Sequence, residues 1–262
     1  MRIPKHLTRS PTGEMPFFDH LEELRWRILW SLLALVVSTG IGFYLTLRFD
    51  LLSLLKRPID PYIDGSTLLA LSVTAPFMAT FKIALTVGIV LSAPIIAYQL
   101  WAFLAPALTK REKRSIIPAL YLGAVLFCVG VALCYVYVLP MTLRFLGGFQ
   151  SASLSWAITV DFYFSFVVKL LVAFGVMFEL PVVVMVLATL GLVTSKFLAS
   201  KRRYAIAGMA IAAVLITPGD AVTASAFMMG PLMLLYELSI LLAKLVERGK
   251  ARAAAESLAE AR

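Results

Sequence analysis

Charge is scarce in this chain. Of its 262 residues only 15% are Asp, Glu, Lys or Arg, against about 25% in an ordinary soluble domain. Histidine and cysteine are scarcer still, at two residues each. His6 and His20 both precede the first long apolar run, which excludes either as a base buried inside a membrane. Cys128 and Cys134 share one apolar run; on a helix they stand about 9 Å apart along the axis, too far for a bridge between them. The signatures GxxxxGK[ST], HExxH, the Gly-rich dinucleotide turn and GxSxG are all absent, and with them nucleotide hydrolysis, zinc-dependent hydrolysis and elbow-serine chemistry. No enzyme activity and no cofactor is expected. Residues 1–14 carry Arg2, Lys5 and Arg9 but neither an apolar core nor a cleavage site, which speaks against a removable signal peptide.

What is abundant is apolar surface. Apolar residues make up 61% of the chain and the mean hydropathy is +0.90, which excludes a disordered chain and a soluble globular domain. A spanning helix needs about 20 apolar residues, so there is room for roughly five to seven. Six are read from the sequence: Ile28–Leu47, Ile83–Thr109, Ser115–Leu143, Phe162–Leu190, Tyr204–Thr217 and Ala221–Ala243. The expected fold is all-α and polytopic, with spans five and six short. Residues 1–27 form a polar segment with an interfacial helix, 28–243 the transmembrane domain and 244–262 a charged tail.

The net charge of +9 would suggest nucleic acid in a soluble protein; here it reports topology. The N-terminal segment, the 110–114 loop, the 191–203 loop and the tail after Ala243 hold 18 Lys and Arg, whereas the opposite side holds only Arg48, Lys56, Arg57 and Arg144. Cytoplasmic loops collect Lys and Arg, so both termini are expected in the cytoplasm. No nucleic-acid partner is expected. Leu51, Leu52, Leu54 and Leu55 before Pro58 predict a short amphipathic helix on the outer surface. Span five has only 14 uncharged residues between Arg203 and Pro218, about 21 Å of helix against about 30 Å of hydrocarbon. Lys82 and Lys169 each precede a proline, Pro94 and Pro181, at the same interval, as snorkelling lysines above kinks would.

Few polar residues could carry chemistry. In the segment Phe17–Ile28, the residues Phe17, Leu21, Leu24 and Ile28 recur at helical spacing, predicting an interfacial helix that leads into span one. At 100° per residue Glu23 falls on the opposite, water-facing side between Asp19 and Arg27, while Arg25 lies at the edge of the apolar stripe. The plain reading is a solvated face with i,i+4 pairs worth a few tenths of a kcal/mol. Glu112 stands alone among Lys110, Arg111, Lys113 and Arg114, which favour its ionised form; read plainly, this is a topology signal. Glu179, Glu237 and Lys169 fall within apolar runs, where an ionised group costs a few kcal/mol or more and so faces a cavity, a partner or a proton. These residues alone leave open a binding receptor, a small-solute transporter using Glu179 and Lys169, or, disfavoured by the missing nucleophile–base pair, an intramembrane hydrolase.

Four stretches go further: HLEELR (His20–Arg25), SAPIIAYQLWAFLAPALTKREKR (Ser92–Arg114), FGVMFELP (Phe174–Pro181) and ITPGD (Ile216–Asp220). In this order on a six-span plan, the chain resembles the TatC family of the twin-arginine protein translocase from Phe17 to Lys244. The resemblance implies a cup-shaped six-helix receptor in the cytoplasmic (inner) membrane. It implies binding of twin-arginine signal peptides of folded precursors, export driven by the proton motive force, TatA- and TatB-type partners, and self-association among membrane lipids. It assigns the arginine pair to Glu23 and Glu112. It also implies supporting roles for Arg25, Gln99, Phe103 and Pro58, matches Glu179 to the family's fourth-span carboxylate, and implies partner contact at Thr217 and Asp220. Ala224 stands where the family often has a glutamine.

Overall fold

The computed structural model describes residues 17–63, 67–104, 110–148, 157–216 and 223–260. Its helices are α1 (Phe17–Arg48), α2 (Leu51–Lys56), α3 (Ala75–Leu104), α4 (Lys110–Leu133), α5 (Leu139–Gly148), α6 (Val160–Phe178), α7 (Leu180–Thr189), α8 (Ser195–Ser200), α9 (Arg202–Ile216) and α10 (Thr223–Glu260). A π-helical turn, Cys134–Val138, joins α4 to α5 in one rod. No strand forms among the described residues; a single bridge pairs Leu69 with Thr159. The chain is a polytopic helical membrane protein.

Five helical stretches are long and apolar enough to cross a bilayer: His20–Arg48, Ala75–Phe103, Pro118–Gly148, Val160–Thr189 and Met228–Arg252. The remaining apolar helix, α9, has 15 residues, about 22 Å, and is the short fifth span that the sequence predicts. Span four is not continuous. Glu179 ends α6 and Pro181 sits in the first turn of α7, where its missing N–H costs nothing. The basic run at 110–114, expected as a loop, is instead the opening of helix α4. Span six also continues beyond Ala243, α10 running unbroken to Glu260.

The main core is centred on α6 and draws in buried residues of α3, the π-helical turn, α5, α9 and α10. Phe164 and Phe174 of α6 are fully buried, as are Ile83, Leu139 and Met228 from its neighbours. A second cluster, Ala188, Leu198, Ile240 and Ala243, ties α7 and α8 to α10. The α2 end of the bundle is fastened by polar bonds. Asp50 adopts a left-handed backbone (φ 46°), which Asp tolerates, and caps α2 by accepting from the Ser53 N–H at 3.3 Å. The hydroxyls of Tyr135 and Tyr163 then donate to the Leu54 and Leu55 carbonyls, each at 2.7 Å, satisfying carbonyls that a helix end leaves open. Lys82 of α3 pairs with Asp161 and donates to Ser165 Oγ at 2.7 Å. The snorkelling lysine of the sequence reading is thus an interhelical clamp between α3 and α6.

α1 packs chiefly on α3, and the contact is made by small residues. A Cβ on Gly88 would stand 2.8 Å from the Thr39 backbone, and one on Gly42 would stand 2.4 Å from the Ala84 carbonyl oxygen. In lipid, helices associate through such close backbone approach, because tails solvate leucine as well as another helix does. The α1 hydroxyls along this seam bond within their own helix, Thr39 to the Leu35 carbonyl at 2.8 Å and Thr46 to the Gly42 carbonyl at 2.7 Å. Gly88→Ala is therefore expected to destabilise by about 1–3 kcal/mol, seen as a lowered melting temperature in detergent. Gly40→Ala on α1, where nothing lies within 4 Å, is expected to be neutral or mildly stabilising.

Candidate functional site

The end of the bundle at which α1 begins gathers four of the residues that the sequence singles out, Glu23, Arg25, Gln99 and Phe103. On α1, His20, Glu23 and Arg27 follow at i, i+3 and i+7, and so share one face. On α3, Gln99 and Phe103 are one turn apart. The antiparallel packing of α1 on α3 brings the two sets together. The Arg27 guanidinium donates to Glu23 Oε1 through Nε at 3.0 Å and through Nη2. Its Nη1 reaches Gln99 Oε1 at 3.4 Å. The His20 ring stacks on Phe103, with centroids 4.3 Å apart and planes 16° from parallel. His20 Nδ1 stands 3.9 Å from Glu23 Oε2.

This corrects the expectation that Glu23 points to water. Its side chain is only 19% exposed, and Oε2 is closed off from solvent with no hydrogen-bond partner among the described residues. The physical reason is that the helix is turned the other way about. Leu21 and Ile28 of the apolar stripe are 46% and 56% exposed, facing the side where lipid lies, and the polar stripe faces α3. Arg25 is exposed, as a residue at the stripe's edge should be. Trp101 Nε1, on the same stretch of α3, is a second sheltered polar atom, here a donor, without a partner among the described residues.

The other predicted residues lie elsewhere. Glu112 sits in the first turn of α4, where the unpaired N–H groups of a helix favour negative charge; its side chain lies outside the described residues. Glu179 stands at the α6–α7 break, half-buried, with its carboxylate against Gly123 of α4. Lys169 is exposed, one turn from Ser165 and two from Asp161 on the α6 face that Lys82 meets. Ten positions of the chain separate it from Glu179, about 15 Å of helix, and no hydrogen bond or ion pair joins the two among the described residues. Glu237 pairs with Arg202 at 2.8 Å, joining α10 to the start of α9. Pro58 follows α2, ahead of the buried Ile59. Thr217 and Asp220 lie outside the described residues.

Three contacts carry no signal in the sequence pattern. His20 meets Phe103 through its ring face, which helical spacing does not register. Asp161 as the partner of Lys82 is 79 residues away and carries no local signal. Gly123 is visible only as a gap in a long apolar run.

A family model described as Sec-independent protein translocase protein (TatC) matches residues 19–231. The chain belongs to the TatC family. It is 41% identical over 238 residues to the Sec-independent protein translocase protein TatC of Aquifex aeolicus, covering 90% of this chain and 98% of that protein. It is 35% identical over 248 residues to the TatC of Escherichia coli K12, covering 93% and 94%. A crystal structure of the twin arginine translocase receptor TatC superposes with a TM-score of 0.75 at 41% identity, covering 87% of this chain and 99% of that one. Membership of this family makes the chain a protein-translocase component and not an enzyme.

The contact between Gly123 and Glu179 can be measured. A Cβ at Gly123 would stand 2.7 Å from Glu179 Oε2, so the carboxylate must swing away. Gly123→Ala is expected to lower the melting temperature, and Glu179→Ala to cancel most of that loss. The double-mutant coupling should lie within about 0.5–3 kcal/mol, the range for residues in contact.

Proposed function

We propose that this chain is the signal-peptide receptor of its translocase, and that Glu23 and Glu112 hold the consecutive arginines of twin-arginine signal peptides on folded precursors. The observation that carries this reading is the sheltered Glu23 carboxylate, with one oxygen still without a partner among the described residues. Charge-assisted bonds to such a group are worth about 1.5–3 kcal/mol each. A guanidinium delivers two of them in parallel, whereas an ammonium cannot match that geometry. Gln99 and Phe103 complete the surroundings of the seat, Arg25 is free to meet headgroups, and Pro58 ends the α2 cap at the far side.

In this reading both termini are cytoplasmic and the membrane is the cytoplasmic (inner) one. The 18 cations on that side repel a basic peptide, so the few carboxylates there decide where it docks. Residues 1–27 serve as the receptor segment, 28–243 as the membrane domain and 244–262 as the tail. TatA- and TatB-type single-span subunits dock at the span-five hairpin, through Thr217 and Asp220, where a helix shorter than the bilayer favours association. Further copies of the chain complete the receptor, and export draws on the proton motive force. The test is export of a twin-arginine precursor by cells carrying Glu23→Gln or Glu112→Gln. Each variant is expected to insert at the normal level and to lose export. Normal export by both would remove the two seats.

A further inference from the structure

The Glu23 carboxylate is half used. Arg27 directs two N–H groups, from Nε and Nη2, to the same oxygen, Oε1. A side-on guanidinium pair would engage both oxygens; this one leaves Oε2 sheltered and without a hydrogen bond among the described residues. A buried acceptor without a donor is an unfavourable state that persists only where something else holds it. Here that something is visible: the i,i+4 bond within α1, backed by Gln99 on α3, which accepts from Arg27 Nη1 at 3.4 Å. Beside the empty oxygen stands the His20–Phe103 stack, with His20 Nδ1 3.9 Å from Oε2 and the His20 side chain 43% exposed.

We infer that Arg27 is a positioning residue for arginine recognition. It occupies Oε1, holds the Glu23 carboxylate against α3, and leaves Oε2 for an incoming guanidinium, whose flat face lies along the His20–Phe103 stack. This rests on the reading of Glu23 as an arginine seat and adds how the seat discriminates. A planar guanidinium can meet the oxygen with its edge while stacking on the rings. An ammonium meets the oxygen but has no plane to stack. The carboxylate therefore bridges two guanidinium groups, one built in and one delivered by cargo.

The alternative use of the same geometry is competition, with Arg27 as an internal occupant that cargo must expel, and the two predict opposite signs. The experiment uses the full-length protein in nanodiscs and two synthetic signal peptides that differ only in carrying Arg-Arg or Lys-Lys. Arg27→Gln is expected to weaken the Arg-Arg peptide by about tenfold, the loss of one charge-assisted bond, and to leave the Lys-Lys peptide unchanged, so that the ratio between them collapses. Arg27→Lys keeps the charge without the fork and is expected to lose most of the ratio as well; it decides the matter alone if Arg27→Gln fails to fold. An unchanged ratio, equal weakening of both peptides, or tighter Arg-Arg binding by Arg27→Gln each overturns the inference. Glu23→Gln separates the two layers. If it binds the Arg-Arg peptide normally, the seat itself is wrong; if it loses binding while the Arg27 variants keep the wild-type ratio, only the role of Arg27 is wrong.

Discussion

A carboxylate turned away from water beside a bilayer has to be held there by donors, and most of what is distinctive at the α1–α3 seam meets that need. Glu23 is sheltered because α1 lays its polar stripe against α3, and α1 can do so because Gly42 and Gly88 let the two backbones close up. Ser and Thr hydroxyls along the seam return their bonds to their own helix, so the contact carries no unsatisfied hydroxyl into lipid. Widen the seam and Gln99 and Phe103 withdraw from Arg27 and His20. The seat is thus a product of helix packing about three to five turns away from it.

The far end of the molecule is built on the same economy of polar groups. Two tyrosine hydroxyls hold the carbonyls of α2, and one lysine–aspartate pair joins α3 to α6. At the other end Glu247 receives both the N–H and the hydroxyl of Ser195, at 2.7 and 2.6 Å, so the extension of α10 past Ala243 is tied to the start of α8. Each of these links spans elements distant in sequence, and each fastens a helix end: the last turn of α2, Asp161 in the first turn of α6, or Ser195 at the start of α8.

Length of apolar run and distribution of cations were enough to read the spans, and the short α9 and the leucine-rich α2 appear where the sequence places them. The orientation of α1 was not legible. Periodicity finds the apolar stripe of Phe17, Leu21, Leu24 and Ile28 but does not say what it faces, and in a membrane the apolar face goes to lipid while small and polar residues meet the neighbouring helix. The motif draws attention to Glu23, but helical spacing gives it the wrong surroundings, since its side chain is only 19% exposed. The run at 110–114 shows a similar limit: five charged residues look like a loop by composition, yet Lys, Arg and Glu are good helix formers and α4 starts there. The partners of Lys82 and Glu179 depend on packing between helices, which no local pattern encodes.

Recognition turns on whether an arginine side chain of the cargo comes to rest at the sheltered oxygen of Glu23. A photoreactive residue in place of Leu24, next in the chain and half-buried, reads this directly when a radiolabelled precursor is added to membranes and irradiated. Labelling by the Arg-Arg precursor that disappears for its Lys-Lys counterpart is the predicted result. Equal labelling by both precursors, or none by either in membranes that still export, would contradict it.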